Sequence, residues 1–145
     1  MARDHPRILS IHSNHATAEV LDELARQPPA AANLHWWNGS NSKTRLAVDL
    51  GCFFSVNRAT ALYSRLRTIV PRDRILVETD CAHEDPPGQI PAKIEAAEEL
   101  LAGTLQIAAP DVRRLAWENM AALVRKVQGQ SLLPEGFREV IASIA

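Results

Sequence analysis

Two cysteines, Cys52 and Cys81, are all that 145 residues contain. So few do not make a disulfide framework, and a reduced, cytoplasmic protein is the default. One tyrosine, three tryptophans and three phenylalanines leave aromatics at 5%. The Lys+Arg and Asp+Glu counts, 16 and 17, nearly cancel. That balance excludes a polybasic nucleic-acid tail or an acidic solvating tail as the main feature. No apolar run approaches the ~20 residues of a membrane span. The opening Met-Ala-Arg-Asp-His-Pro has no apolar segment of the secretory kind. What is present is 46% apolar residues, enough for one domain with a real core and too short a chain for two ordinary domains.

A strand followed by a helix recurs along the chain. Arg7–Ile11, Ala31–Trp37, Cys52–Val56 and Arg74–Thr79 are short β-prone runs. Pro6 marks the start of the first. A helix is expected over Ala16–Gln27, capped by Ser13 or Asn14 and stopped by Pro28-Pro29. A second runs from a Ser40 or Asn41 cap to about Leu50, with Gly51 at the position after the cap. A third is expected over Ala59–Val70 with Leu62, Leu66, Ile69 and Val70 inward. Pro91 and Pro110 each stand near the start of a further helix, reaching about Ala102 and Val127. Pro86-Pro87-Gly88 reads as a loop. Residues 1–128 are read as one unit and 129–145 as a tail or short closing helix.

Such alternation predicts an α/β fold with parallel strands and right-handed crossovers. Function in these sheets gathers at the carboxyl ends of the strands. There the runs carry His12, His35, Ser55 and Glu78-Thr79-Asp80. Ends in His, His and Asp suit ligands better than packing.

Five segments carry a resemblance. They are His12-Ser-Asn-His-Ala16, His35-Trp-Trp-Asn-Gly-Ser40, Gly51-Cys-Phe-Phe-Ser55, Glu78-Thr-Asp-Cys-Ala82 and Glu118-Asn119-Met-Ala-Ala-Leu123. In that order they resemble the TatD family of metal-dependent deoxyribonucleases, over about residues 6–128. The aromatic-rich segments are also similar to TatD-type proteins of Qat antiphage operons. The resemblance implies a partial TIM (β/α)8 barrel, roughly the last four βα units. The family's first-strand His-x-His pair and bridging Glu have no counterpart among these motifs. By the same resemblance His12 and His35 bind a divalent metal (zinc, manganese or magnesium), and Asp80 is a metal ligand and catalytic group. Arg58 and Asn14 are candidate substrate contacts, and DNA is the implied substrate.

Asn14 stands where the family tends to have Arg, Asn38 replaces a Ser and Ala82 a Pro. No Arg-Asn-x-Pro segment is recognisable in Pro86–Pro91. Glu78 is read as pointing away from Asp80 and is ranked below it. Flat-sheet spacing puts Asp80 roughly 10 Å from His35. Arg65, Arg67, Arg72 and Arg74 are read as a solvated helix face, and His15 and His83 as solvated loop residues. Trp36 and Trp37 alternate, so one is core and the other is free to stack a base. The half-barrel reading leaves open edges. It predicts a homodimer or a complementing N-terminal chain, and weak turnover alone. The alternative is a non-catalytic interaction subunit or remnant, completed by a partner in antiphage defence.

Overall fold

The computed structural model describes residues 7–81 and 86–144. Pro6, Ala82 and His83 lie outside that range. Four parallel strands form one sheet: β1 (Ile8–His12), β2 (Ala31–His35), β3 (Phe53–Val56) and β4 (Ile75–Val77), in the order β1-β2-β3-β4. Helices α1 (Thr17–Arg26), α2 (Asn41–Asp49) and the short α3 (Arg65–Thr68) connect them. The chain closes with α4 (Ile90–Leu105), α5 (Ala109–Lys126) and α6 (Glu135–Ser143). Parallel order with a connection after each strand is the βα rhythm that the sequence pattern predicts.

Register sorts the side chains. Ser10 pairs with Asn33, His12 with His35, His35 with Ser55, and Ser55 with Leu76. Alternation sends these to one face and Ala32, Leu34, Phe54, Val56 and Ile75 to the other. The second face packs on Leu21 and Leu24 of α1, Ala47 of α2, and Leu101 and Leu105 of α4. On the first face the amino-terminal half is covered too. Ala31, Phe53 and Leu76 meet Leu123 and Val127 at the end of α5. The polar half, at the carboxyl ends, is left for the site.

Local signals explain most element ends. Ser40 Oγ accepts from the Lys43 amide, so Ser40 caps α2. At its other end Gly51 takes φ +77; Gly51 N–H donates to Val48 O and Cys52 N–H to Ala47 O. That pair of bonds is a Schellman ending, which needs a left-handed residue there. The tail's helix packs through Ile141 on Ala121 and Val124, with Phe137 against Trp117.

Three expectations fail locally. Neither Ser13 nor Asn14 caps α1: its cap position is Ala16, whose amide donates to the Ser13 carbonyl. The helix expected over Ala59–Val70 shrinks to Arg65–Thr68. Asn57 Oδ1 accepts the amides of Ala59 and Thr60, and this local turn displaces the first helical turns. Leu62 is left 66% exposed as a result. Arg72 and Arg74 are not a solvated face either. Arg72 donates to Leu105 O, and Arg74 donates to Gly51 O and lies over the Phe53 ring. Each ties a loop to the core. Asn119 does the same from α5, donating to the carbonyls of Arg72 and Ile75, both at 2.7 Å.

Cys52 is buried in the main core, and burial pushes its thiol up to about 11 despite the opposing pull of Arg74 and Lys126. The neutral thiol is therefore favoured in the folded state. On unfolding it ionises near its ordinary 9.0. Stability is full below pH 9 and is expected to fall as pH rises toward 11, by roughly 1.4 kcal/mol per unit. Urea melts at pH 8, 9 and 10 check the slope, and Cys52→Ala should flatten it. At pH 8 a thiol reagent should modify Cys81 and reach Cys52 only after unfolding; rapid reaction of both would contradict this.

A candidate active-site rim

His12 and His35 are the last residues of β1 and β2 and partners in register. Adjacent parallel strands lie ~4.8 Å apart, close enough for two imidazoles to meet. His12 Nδ1 and His35 Nε2 are 3.2 Å apart. The rings are tilted by 48° with centroids 4.7 Å apart.

The other edge of the His35 ring faces two carboxylates. Its Nδ1 is 3.7 Å from Glu78 Oε1 and 3.8 Å from Asp80 Oδ1. These two acids favour a proton on Nδ1, which leaves the Nε2 lone pair toward His12. Glu78 is anchored by three bonds, two to β3 and one to the residue after β2. Its amide donates to Val56 O, its Oε2 accepts from Ser55 Oγ at 2.6 Å, and its Oε1 accepts from the Trp36 amide at 3.0 Å. Ser55 in turn accepts from Asn33 Nδ2 at 2.8 Å. The small Ser55 side chain at the rim of β3 lets Glu78 reach across to β2. The buried Asn33 Oδ1 has no hydrogen-bond partner among the described residues.

Two expectations need correcting here. Glu78 does not point away from Asp80: both carboxylates face Nδ1 of His35. Glu78 is thus the site residue that sequence reasoning undervalued, although the Ser55–Leu76 register extended by two identifies it. Nor is Asp80 far from His35: its side chain reaches back, and its backbone bends with φ +49. Arg58, exposed in the turn after β3, lines a cavity of about 550 Å³ together with Trp36, Thr79, Asp80 and Gln89. Asn14 sits in the exposed turn after β1 and does not line that cavity. His15 is exposed in the same turn, at φ +60.

The donor chemistry fits part of a metal centre. Two nitrogens bound tetrahedrally to one zinc at ~2.0–2.1 Å would be about 3.3 Å apart, close to the 3.2 Å of the imidazole pair. A third donor does not converge with them: among the described residues no three His, Cys, Asp or Glu side chains form a metal-holding group. Glu78 and Asp80 lie on the far edge of the His35 ring from His12, as outer partners of an imidazole do.

A parallel βα sheet with imidazoles and carboxylates on its carboxyl rim has the architecture of a barrel-type βα fold, in which functional groups gather at that end of the strands. Comparison is more specific. The profile of the family described as TatD related DNase matches residues 1–125, and the chain belongs to that family. Among solved structures it is similar to YjjV, a TatD homologue from Escherichia coli K12, with 19% identity and a TM-score of 0.63. That match covers 80% of this chain and 49% of YjjV. It is also similar to a TatD family hydrolase from Entamoeba histolytica, at 12% identity and TM-score 0.62, covering 81% of this chain and 50% of that one. The chain thus spans about half the length of these structures. No curated protein matches it. No helix among the described residues is long and apolar enough to cross a membrane.

Proposed function

We propose that this chain forms half of the active site of a cytoplasmic, metal-dependent phosphodiesterase acting on DNA. The observation that carries the reading is the imidazole pair at 3.2 Å on matched strand ends, with two carboxylates behind one ring. His12 Nδ1 and His35 Nε2 would hold one divalent ion, and Glu78 would keep His35 in the tautomer that frees Nε2. Asp80 would serve a second ion and take the proton of the attacking water. A bound divalent ion supplies hydroxide near neutral pH and charge for the phosphoryl oxygens. Zinc, manganese and magnesium are all compatible with mixed imidazole and carboxylate donors. Arg58 would steer the phosphodiester. Asn14, exposed in the turn that follows His12, would be a second substrate contact.

These 145 residues alone are expected to turn over DNA weakly or not at all, because the donor set is partial. A nuclease assay in manganese or magnesium, with His12→Ala as control, tests this. Robust turnover at catalytic concentration, lost in His12→Ala, would show the described half to be sufficient.

A second reading is an interaction subunit or remnant, in antiphage defence, completed by a second copy or an N-terminal half-barrel chain. It is favoured by the edge position of β1, where Leu9 is 37% exposed and Ser10 is exposed. Open edges pair with other strands. Purified protein without metal that gains activity only with an N-terminal half in trans supports completion. Metal at one equivalent in the isolated chain, lost in His12→Ala, supports the first reading.

A further inference from the structure

We propose that the cavity beside Asp80 is a nucleotide pocket in which one base stacks on Trp36 and its phosphate meets Arg58. The inference rests on the phosphodiesterase reading for its ligand class and adds the residue that grips the base.

Trp36 is an unusual residue. It follows His35, which points to the rim, and precedes Trp37, which is 4% exposed and donates from Nε1 to Thr44 Oγ1 in the core. The chain passes between these two demands by turning at Trp36 with φ +47. Bulky residues seldom adopt that region, and holding one there is costly. The Glu78 carboxylate offsets part of the cost by accepting the Trp36 amide. The outcome is an indole 42% exposed at the mouth of the site. Its ring stands edge-on to His12, with centroids 6.1 Å apart, and it also lines the 550 Å³ cavity. A single exposed aromatic is ordinary. One strained into place between an imidazole pair and a ligand-sized cavity is not.

The cavity supplies the remaining chemistry. Its volume falls within the ~300–1,000 Å³ of small-molecule sites. Arg58 offers a planar guanidinium suited to phosphate. The Asn57 turn that carries Arg58 is fixed by the amides of Ala59 and Thr60 on Asn57 Oδ1. Thr79 and Gln89 bring a hydroxyl and an amide to the wall, polar groups able to meet base edges. A face for the base, the cation of Arg58 for the phosphate, and a hydroxyl and an amide on a wall that Asp80 and Lys93 also line suit a nucleotide better than a bare phosphate or a sugar.

Calorimetric titration of the whole chain with dAMP in EDTA tests the pocket without metal or turnover. Saturable 1:1 binding is expected, with 2-deoxyribose 5-phosphate at least tenfold weaker. Trp36→Ala should weaken dAMP roughly tenfold to a hundredfold, the range that base–aromatic stacking gives. Trp36→Phe should recover most of it. Arg58→Ala should weaken dAMP and leave deoxyadenosine unchanged. Equal binding of dAMP by wild type and Trp36→Ala, or of dAMP and the abasic phosphate by wild type, would overturn the pocket. The two readings separate cleanly: nucleotide binding that follows Trp36 in a protein inactive under every metal and partner condition keeps the pocket and removes the hydrolase.

Discussion

Replacing His35 with alanine is expected to lower zinc affinity by more than a hundredfold, as read by calorimetric titration of the purified chain. The imidazole is the hinge of the rim. Its Nε2 lies 3.2 Å from His12 Nδ1, and its Nδ1 faces both Glu78 and Asp80. Alanine removes one of the two nitrogens and separates the other from both acids. Outer partners of a metal ligand are worth ~10–100-fold in affinity, so a direct donor must exceed that. Glu78→Gln gives the comparison. The amide keeps the size of the side chain but gives up the charge beside Nδ1, so a smaller loss, within about 10–100-fold, is expected. The ordering is the discriminating result. Zinc bound equally by wild type and His35→Ala would remove the imidazole pair from the metal chemistry. A Glu78→Gln loss exceeding that of His35→Ala would make Glu78 a ligand and reverse the roles assigned here.

The largest stability effect is expected at Phe54. It is 1% exposed on the helix-covered face of β3 and meets Trp37 edge-on, with centroids 6.1 Å apart. Phe54→Ala is expected to cost ~3–5 kcal/mol through lost transfer energy and a cavity. A domain of this size has only ~5–15 kcal/mol in total. With a urea slope of ~2 kcal/mol/M, the midpoint should fall by about 2 M. The effect should reach the rim, because Trp37 is the neighbour that fixes the turn at Trp36 and so the aim of His35. A loss below about 1 kcal/mol would mean that the space collapses freely and that this core does not set the site.

Much of the site was legible before any coordinates. His12 and His35 end apolar runs, and one matched register brings ends of adjacent parallel strands together. Asp80 and Arg58 follow strands on the same rim. Gly51 was legible because a helix ending of that form requires a left-handed residue. Glu78 is different in kind: the period of two, continued from Leu76, puts it on the face of Ser55 and His35, so its side was written in the sequence. The lost first turns of the third helix were not legible, since Ala59–Val70 has a good helical pattern. Asn57 wins there because its side chain satisfies two amides locally, a competition that pattern counting does not weigh.

By itself the sequence determined the α/β alternation, the family and the two imidazoles, because strand and helix periods and strand-end chemistry are local properties. Only the tertiary structure decided that Glu78 and Asp80 both face Nδ1 of His35, that Arg72 and Arg74 tie loops to the core, and that Trp36 is thrown out over a cavity. Those outcomes depend on which strands become neighbours and how side chains cross between them, and contacts between distant segments are written in no single stretch of chain.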